Sequence, residues 1–87
     1  MASHMGFDII FNDLKRIFEK KTGRSLSERG EKNLRMVINI IIQDKRHPYN
    51  ELKAALAKKI AEYEDVNREM ALDIAEEFLR KHKHFYE

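Results

Sequence analysis

The stretch LRMVINIIIQ, residues 34–43, constrains the fold of this chain more than any other. In a strand, side chains alternate between faces, so Asn39 would share one apolar face with Val37 and Ile41 while three isoleucines filled the other. A strand that is apolar on both faces belongs in a buried parallel sheet, and the chain offers no crossover partners for one. In a helix the polar side chains instead form one narrow strip: Lys32, Arg35, Asn39, Gln43 and Arg46. The stretch is therefore predicted to be a helix with Asn39 on its solvent side.

The remainder of the chain also indicates helices. Strand signals are nearly absent, and the 87 residues include one proline and three glycines. Apolar spacing of three and four predicts helices over residues 7–21, from 26 or 27 to 45, from 49 or 50 to 64, and from 65 or 67 to 84. Because the linkers are a few residues long, neighbouring helices should be antiparallel. The predicted fold is all-α, a compact four-helix bundle-like domain with a hydrophobic central second helix.

Local signals predict where these helices end and begin. Gly23 suits the position after the first helix, because glycine adopts a left-handed conformation without a Cβ clash. In the sequence SLSE, Ser25 and Glu28 fit a capping box at the start of the second helix. Pro48 ends the second helix, and either Pro48 or Asn50 begins the third.

Composition limits the class of protein. Residues 1–5, MASHM, are interpreted as an expression-tag remnant, which leaves residues 6–87 as a single helical domain. The chain has no cysteine, no visible secretory signal and no apolar run long enough to span a bilayer. Charged residues make up 37 % of the chain and balance to +2, so nucleic-acid contact is permitted but not required. We expect a cytoplasmic protein that does not contact membranes.

The second helix has an unusually wide apolar side. Met36 and Ile40 extend that side well past the usual stripe, so more than one neighbour must cover it. Either the other three helices cover these residues, or the leftover surface pairs with another protein. The first predicted function is therefore a small non-enzymatic interaction or assembly module, possibly a homodimer, with Met36 and Ile40 as the candidate interface.

The alternative function is an accessory nucleic-acid-binding domain. Arginine and lysine bind phosphates, asparagine and glutamine can hydrogen-bond to base edges, and the C-terminal RKHKH turn adds further cations. The candidate contacts on the second helix, near the start of the third helix and on the C-terminal turn are Lys32, Arg35, Asn39, Gln43, Lys45, Arg46, Lys53, Arg80, Lys81 and Lys83.

No residue pattern indicates catalysis, a cofactor or a metal. His82 falls on the apolar side of its helix and is predicted to be packed, and His84, two residues on, points elsewhere. A magnesium-dependent hydrolase using Asp73, Glu76 and Glu77 is a distant third hypothesis. We expect no enzymatic activity.

Overall fold

The structure is a computed structural model and describes residues 2–43 and 48–83. Four helices follow one another along the chain: α1 (Ala2–Thr22), α2 (Glu28–Gln43), α3 (Tyr49–Glu64) and α4 (Arg68–Lys81). The predicted all-α, four-helix fold is confirmed. Residues 44 and 45, the predicted end of the second helix, lie outside the described residues, and α4 ends three residues before the predicted residue 84.

Helix α1 begins earlier than predicted and ends where its glycine indicates. It starts at Ala2 instead of residue 7, because residues 2–5 contain no helix breaker and Gly6 is tolerated inside the helix. At the other end Gly23 has φ +79°, and its N–H donates to the carbonyl of Glu19 at 2.9 Å. The predicted role of Gly23 is confirmed. The interpretation of residues 1–5 as a tag remnant stays a prediction.

The capping residue of α2 is Ser27, and the predicted role of Ser25 is wrong. The Ser27 hydroxyl accepts a hydrogen bond from the Gly30 N–H at 2.9 Å, which is the geometry of an N-cap. Ser25 instead donates to the Glu19 carboxylate at 2.9 Å. The shift by two residues follows from the carboxylate of Glu64, which binds Ser27 and fixes it in the capping position.

The turns around α3 and α4 agree with the predicted start signals. Pro48 precedes α3 in an extended conformation. Asp65 follows α3 with φ 55°, and its N–H donates to the Ala61 carbonyl at 3.0 Å. Asn67 caps α4 by accepting from the Met70 N–H at 2.8 Å. Of the two predicted starts of α3, the structure has Pro48 and not Asn50. Of the two predicted starts of α4, it has residue 67 and not residue 65.

Helix α1 packs between α2 and α4, and α3 packs between the same two helices on the other side. Ion pairs Asp8–Arg35 and Lys15–Glu31 give α1 and α2 an antiparallel sense. The core between the four helices is aliphatic and aromatic, and its largest fully buried side chains are Phe11, Phe18, Phe78, Leu14, Leu34, Ile38, Leu56, Ile60, Ile74 and Leu79. Helices α2 and α4 consequently lie across the bundle from each other.

Glu64 joins the α1–α2 turn to the end of α3. Its side chain is fully buried and its carboxylate accepts from Nη1 of Arg24 at 3.0 Å, from the Ser27 hydroxyl at 3.0 Å and from the Ser27 N–H at 3.2 Å. A second nitrogen of Arg24 donates to the Glu64 carbonyl. Because a buried carboxylate is costly without partners, these bonds hold two chain turns together at one end of the bundle.

Candidate interaction surface

The outer side of α2 carries two large apolar side chains in contact with solvent. Met36 is 61 % exposed and Ile40 is 63 % exposed, whereas Leu34 and Ile38 on the opposite side are fully buried. Within the described part of the chain, the other helices therefore leave both residues uncovered. Of the two alternatives drawn from the sequence, a fully internal second helix is wrong.

Ile40 stands at the edge of a groove between α2 and α3. The groove has a volume of about 320 Å³, and Val37, Ile41 and Leu52 are among the apolar side chains that line it. Ile41 and Leu52 are buried core residues, so the floor of the groove is continuous with the hydrophobic core. Ala55 on α3 lines it as well and is exposed. A shallow apolar groove with an aliphatic edge is a surface that another apolar helix fits.

A ridge of α3 along this groove carries one charge of each sign. Glu51, Ala55 and Lys59 follow one another at intervals of four residues and all line the groove. The Lys59 ammonium lies 3.5 Å from the Glu62 carboxylate of the same helix and 5.9 Å from the centre of the Tyr63 ring. The groove is thus acidic towards the start of α3 and basic further along, with an alanine between.

Met36 faces a second and wider groove, between α1 and α2. This groove has a volume of about 780 Å³, and Phe7, Ile10 and Ile42 contribute its apolar lining. Asn39 and Gln43 border it with amide groups. Asn39 is exposed, which confirms its predicted position on the solvent side of the helix. The two exposed side chains of α2 therefore border different grooves, Met36 on the α1 side and Ile40 on the α3 side.

Arg35, a candidate nucleic-acid contact, is already engaged by α1. Its guanidinium lies 3.4 Å from the Asp8 carboxylate and over two aromatic rings, 5.5 Å from the centre of Phe7 and 4.9 Å from that of Phe11. Lys53 lies 5.6 Å from the ring centre of Tyr49 on its own helix. Both cations thus already lie against aromatic rings in the fold.

The remaining cationic and amide candidates are spread over the bundle. Lys32, Asn39 and Gln43 are exposed on α2, whereas Arg80 and Lys81 are exposed at the end of α4 and Lys83 follows that helix. Because α2 and α4 are each packed on α1 and α3, these two groups lie on helices that are not neighbours. Lys45 and Arg46 lie outside the described residues. Nucleic-acid binding stays a prediction.

Two of the three acidic side chains named for magnesium binding, Asp73 and Glu77, make ion pairs. The Lys21 ammonium lies 3.0 Å from the Asp73 carboxylate and 3.1 Å from that of Glu77. These two carboxylates raise the pKa of Lys21, and Lys21 in turn lowers the pKa of Glu77. Among the described residues, no three histidine or acidic side chains are grouped as metal ligands would be.

His82 has the packed position predicted for it. It is 8 % exposed, its ring centre lies 4.9 Å from that of Phe78, and its Nε2 lies 3.0 Å from a carboxylate oxygen of Asp13. The contact joins the end of α4 to the middle of α1 and gives the histidine a structural role. The predicted direction of His84 concerns a residue outside the described ranges.

Two features of the surface were not predicted from the sequence. Ile9, on α1, is 63 % exposed and lies on the side of the helix away from its buried stripe. The ridge of Glu51, Ala55 and Lys59 was also missed. The spacing E-x-x-x-A-x-x-x-K was the signal that would have shown the row, since residues four apart share a helix face.

Comparison with known proteins gives no match: no family model, no curated protein and no solved structure is similar to the chain. In the part of the chain that the structure describes, no helix combines the length and the apolar character that crossing a membrane requires. Any functional argument must therefore start from the chain's own exposed residues.

Proposed function

We propose that this protein is a non-enzymatic interaction module that binds a second copy of itself through the exposed apolar side of α2. The observation that carries this proposal is the exposure of Met36 and Ile40, one helical turn apart, beside grooves whose floors are apolar. Single exposed hydrophobic residues are common on protein surfaces, whereas a large aliphatic pair bordered by apolar grooves marks an interaction surface.

The energy available from this pair is enough to influence association. Complete burial of a methionine or isoleucine side chain contributes roughly 1.5–3 kcal/mol, and more than half of each of these two side chains is still open to solvent. In a symmetric dimer each interface residue is buried twice, once in each copy, which gives a few kcal/mol in favour of association. Association costs a comparable amount in lost freedom, so the grooves must contribute further contacts.

The experiment is sedimentation equilibrium of the wild-type chain and of two variants over a wide concentration range. Ile40→Glu and Met36→Glu each place a carboxylate on the proposed surface, and at least one of them should shift the protein to monomer. Ala54→Glu is the matched control, because it adds the same charge at an exposed position of α3 and should leave association unchanged.

The result that contradicts the proposal is a wild-type chain that remains monomeric at the highest concentration reached. A monomer that binds a labelled oligonucleotide at low salt, with affinity falling steeply as salt rises, would favour the nucleic-acid alternative. Lys32, Arg80, Lys81 and Lys83 are the exposed cations on which that alternative depends.

A further inference from the structure

The groove between α2 and α3 is complementary to a second copy of itself. Glu51 and Lys59 lie four residues before and four residues after Ala55, and all three line the groove. Four residues advance about 6 Å along a helix, so the two charges are equally far from the alanine. Reversing the direction of α3 about Ala55 exchanges the positions of the two charges. Two copies of this ridge, laid antiparallel, therefore place opposite charges against each other at both ends.

We infer that the face formed by α2 and α3 binds the same face of a second copy, with a two-fold axis beside Ala55. Glu51 of each copy then pairs with Lys59 of the other, and the pair occurs twice by symmetry. This inference rests on the proposed self-association and specifies which surface is used and in which direction. It selects the groove beside Ile40 over the groove beside Met36.

The apolar residues of the face fit the same arrangement. Ala55 has a small side chain, so the two α3 helices approach closely at the axis. Ile40 of each copy meets the mouth of the other copy's groove, where Val37 is half-buried and Ile41 and Leu52 form the floor. The exposed side chain of Ile40 and the open groove thereby cover each other.

The charges of the ridge are free to form these pairs. Glu51 is exposed and has no ion pair within the described part of the chain. Lys59 is 42 % exposed at its side chain, and its contact with Glu62 is a surface contact at 3.5 Å. An ammonium has three donors, so Lys59 can keep this contact and donate to a second carboxylate beside it.

The size of the face suits a weak dimer. Helices α2 and α3 have 16 residues each. Each is about 24 Å long, and two packed side by side are about 20 Å wide. Covering this face on both copies buries about 1,000 Å² in total, which is below the range of stable interfaces and typical of weak, transient ones. A weak dimer, in the micromolar range or above, is the expected outcome.

The test is reversal of the two charges, followed by sedimentation velocity at low salt. Glu51→Lys alone sets two lysines against each other at both ends, and Lys59→Glu alone sets two carboxylates against each other. Each should weaken self-association roughly tenfold, since two favourable pairs become two repulsive ones. Arg16→Glu, at an exposed position of α1 on the other side of the bundle from α3, is the matched control and should have little effect.

Two further samples test the antiparallel direction. The double variant with both Glu51→Lys and Lys59→Glu restores opposite charges and should associate as the wild type does. An equimolar mixture of the two single variants should form mixed dimers, seen by native mass spectrometry, because their charges complement each other. Circular dichroism checks that every variant keeps its helical content.

The outcomes separate this inference from the proposed function. If Ile40→Glu dissociates the dimer but the charge variants associate normally and the mixture shows no preference, the antiparallel arrangement is overturned while self-association stands. If Met36→Glu alone dissociates the dimer, the interface is the α1–α2 groove and the inference is overturned. A wild-type monomer at all concentrations overturns both.

Discussion

At the scale of single residues, Glu64 is buried although the sequence does not predict its burial. Glu62 and Asp65 close to it in the sequence are also acidic, and it stands at the end of a predicted helix, so no sequence pattern indicates that it is buried. The structure buries it because Arg24 and Ser27, 40 and 37 residues away, supply the partners of its carboxylate. Periodicity reports which face a residue belongs to, but it does not report which polar groups meet across a bundle. Interaction between distant polar residues was accordingly not predicted.

Gly30 gives a test at the same scale. A Cβ at this position would lie 1.5 Å from a carboxylate oxygen of Glu64, so Gly30→Ala must displace that carboxylate from its bonds. We expect a loss of about 1–3 kcal/mol in the free energy of unfolding, despite the better helix propensity of alanine.

Gly6→Ala is the control, because nothing lies within 4 Å of its Cβ. The control should stabilise the protein by about 0.5–1 kcal/mol. Urea unfolding measures both, and equal signs for the two variants would contradict the packing at Gly30.

At the scale of helices, the sequence predicted the first or last residue of a helix well where one nearby residue determines it. Gly23, Pro48 and Asn67 each act through their own backbone or side chain within a few residues. Gly23 follows α1 as predicted, and Pro48 and Asn67 are each one of the two starts predicted for α3 and α4. The start of α2 was misplaced because two serines in SLSE are equally good caps as judged from sequence. The deciding group, the carboxylate of Glu64, belongs to another helix. The exposure of Ile40 was left open for the same reason, since it depends on how far α3 covers α2.

The two serines test which residue begins α2. Ser27→Ala removes the hydroxyl that accepts from the Gly30 N–H and donates to Glu64. Loss of an N-cap that also bonds a buried carboxylate should cost about 1–2 kcal/mol of stability. Ser25→Ala removes only an exposed contact with Glu19. A surface change of that kind should cost at most about 0.5 kcal/mol. Thermal unfolding followed by circular dichroism compares the two. A larger loss for Ser25→Ala than for Ser27→Ala would restore the capping box predicted from the sequence.

At the scale of the whole molecule, the two sides of α1 are held by different forces. Towards α2 the contact combines two surface ion pairs with Arg35 lying over Phe7 and Phe11. Towards α4 the contacts are those of Lys21 with Asp73 and Glu77 and of Asp13 with His82, together with the buried core. The sequence predicted that helices would be antiparallel neighbours, but not which helix pairs would leave grooves. Groove positions depend on side-chain fit between helices, and they determine which groove each of Met36 and Ile40 borders.

The Lys21 contact makes stability depend on pH. The pKa of Glu77 is lowered by Lys21, so its contribution is present above its usual value of 4.5 and is lost as the pH falls through the folded value below that. The pKa of Lys21 is raised above 10.5 by hydrogen bonding to Asp73 and then to Glu77, so its contribution persists up to that pH and is lost only above it.

In Lys21→Gln both contributions are absent. The difference in melting temperature between the wild type and Lys21→Gln should therefore be constant between pH 4.5 and pH 10.5, the usual pKa values of the two groups, and shrink as the pH falls below 4.5. Lys20→Gln is the control, because its side chain is 75 % exposed and its ammonium lies 3.9 Å from Glu77. Removing so exposed a charge should change the melting temperature little at any pH. If the wild type and Lys21→Gln differ as much in acid as at neutral pH, the contact between α1 and α4 does not depend on these carboxylates being ionised.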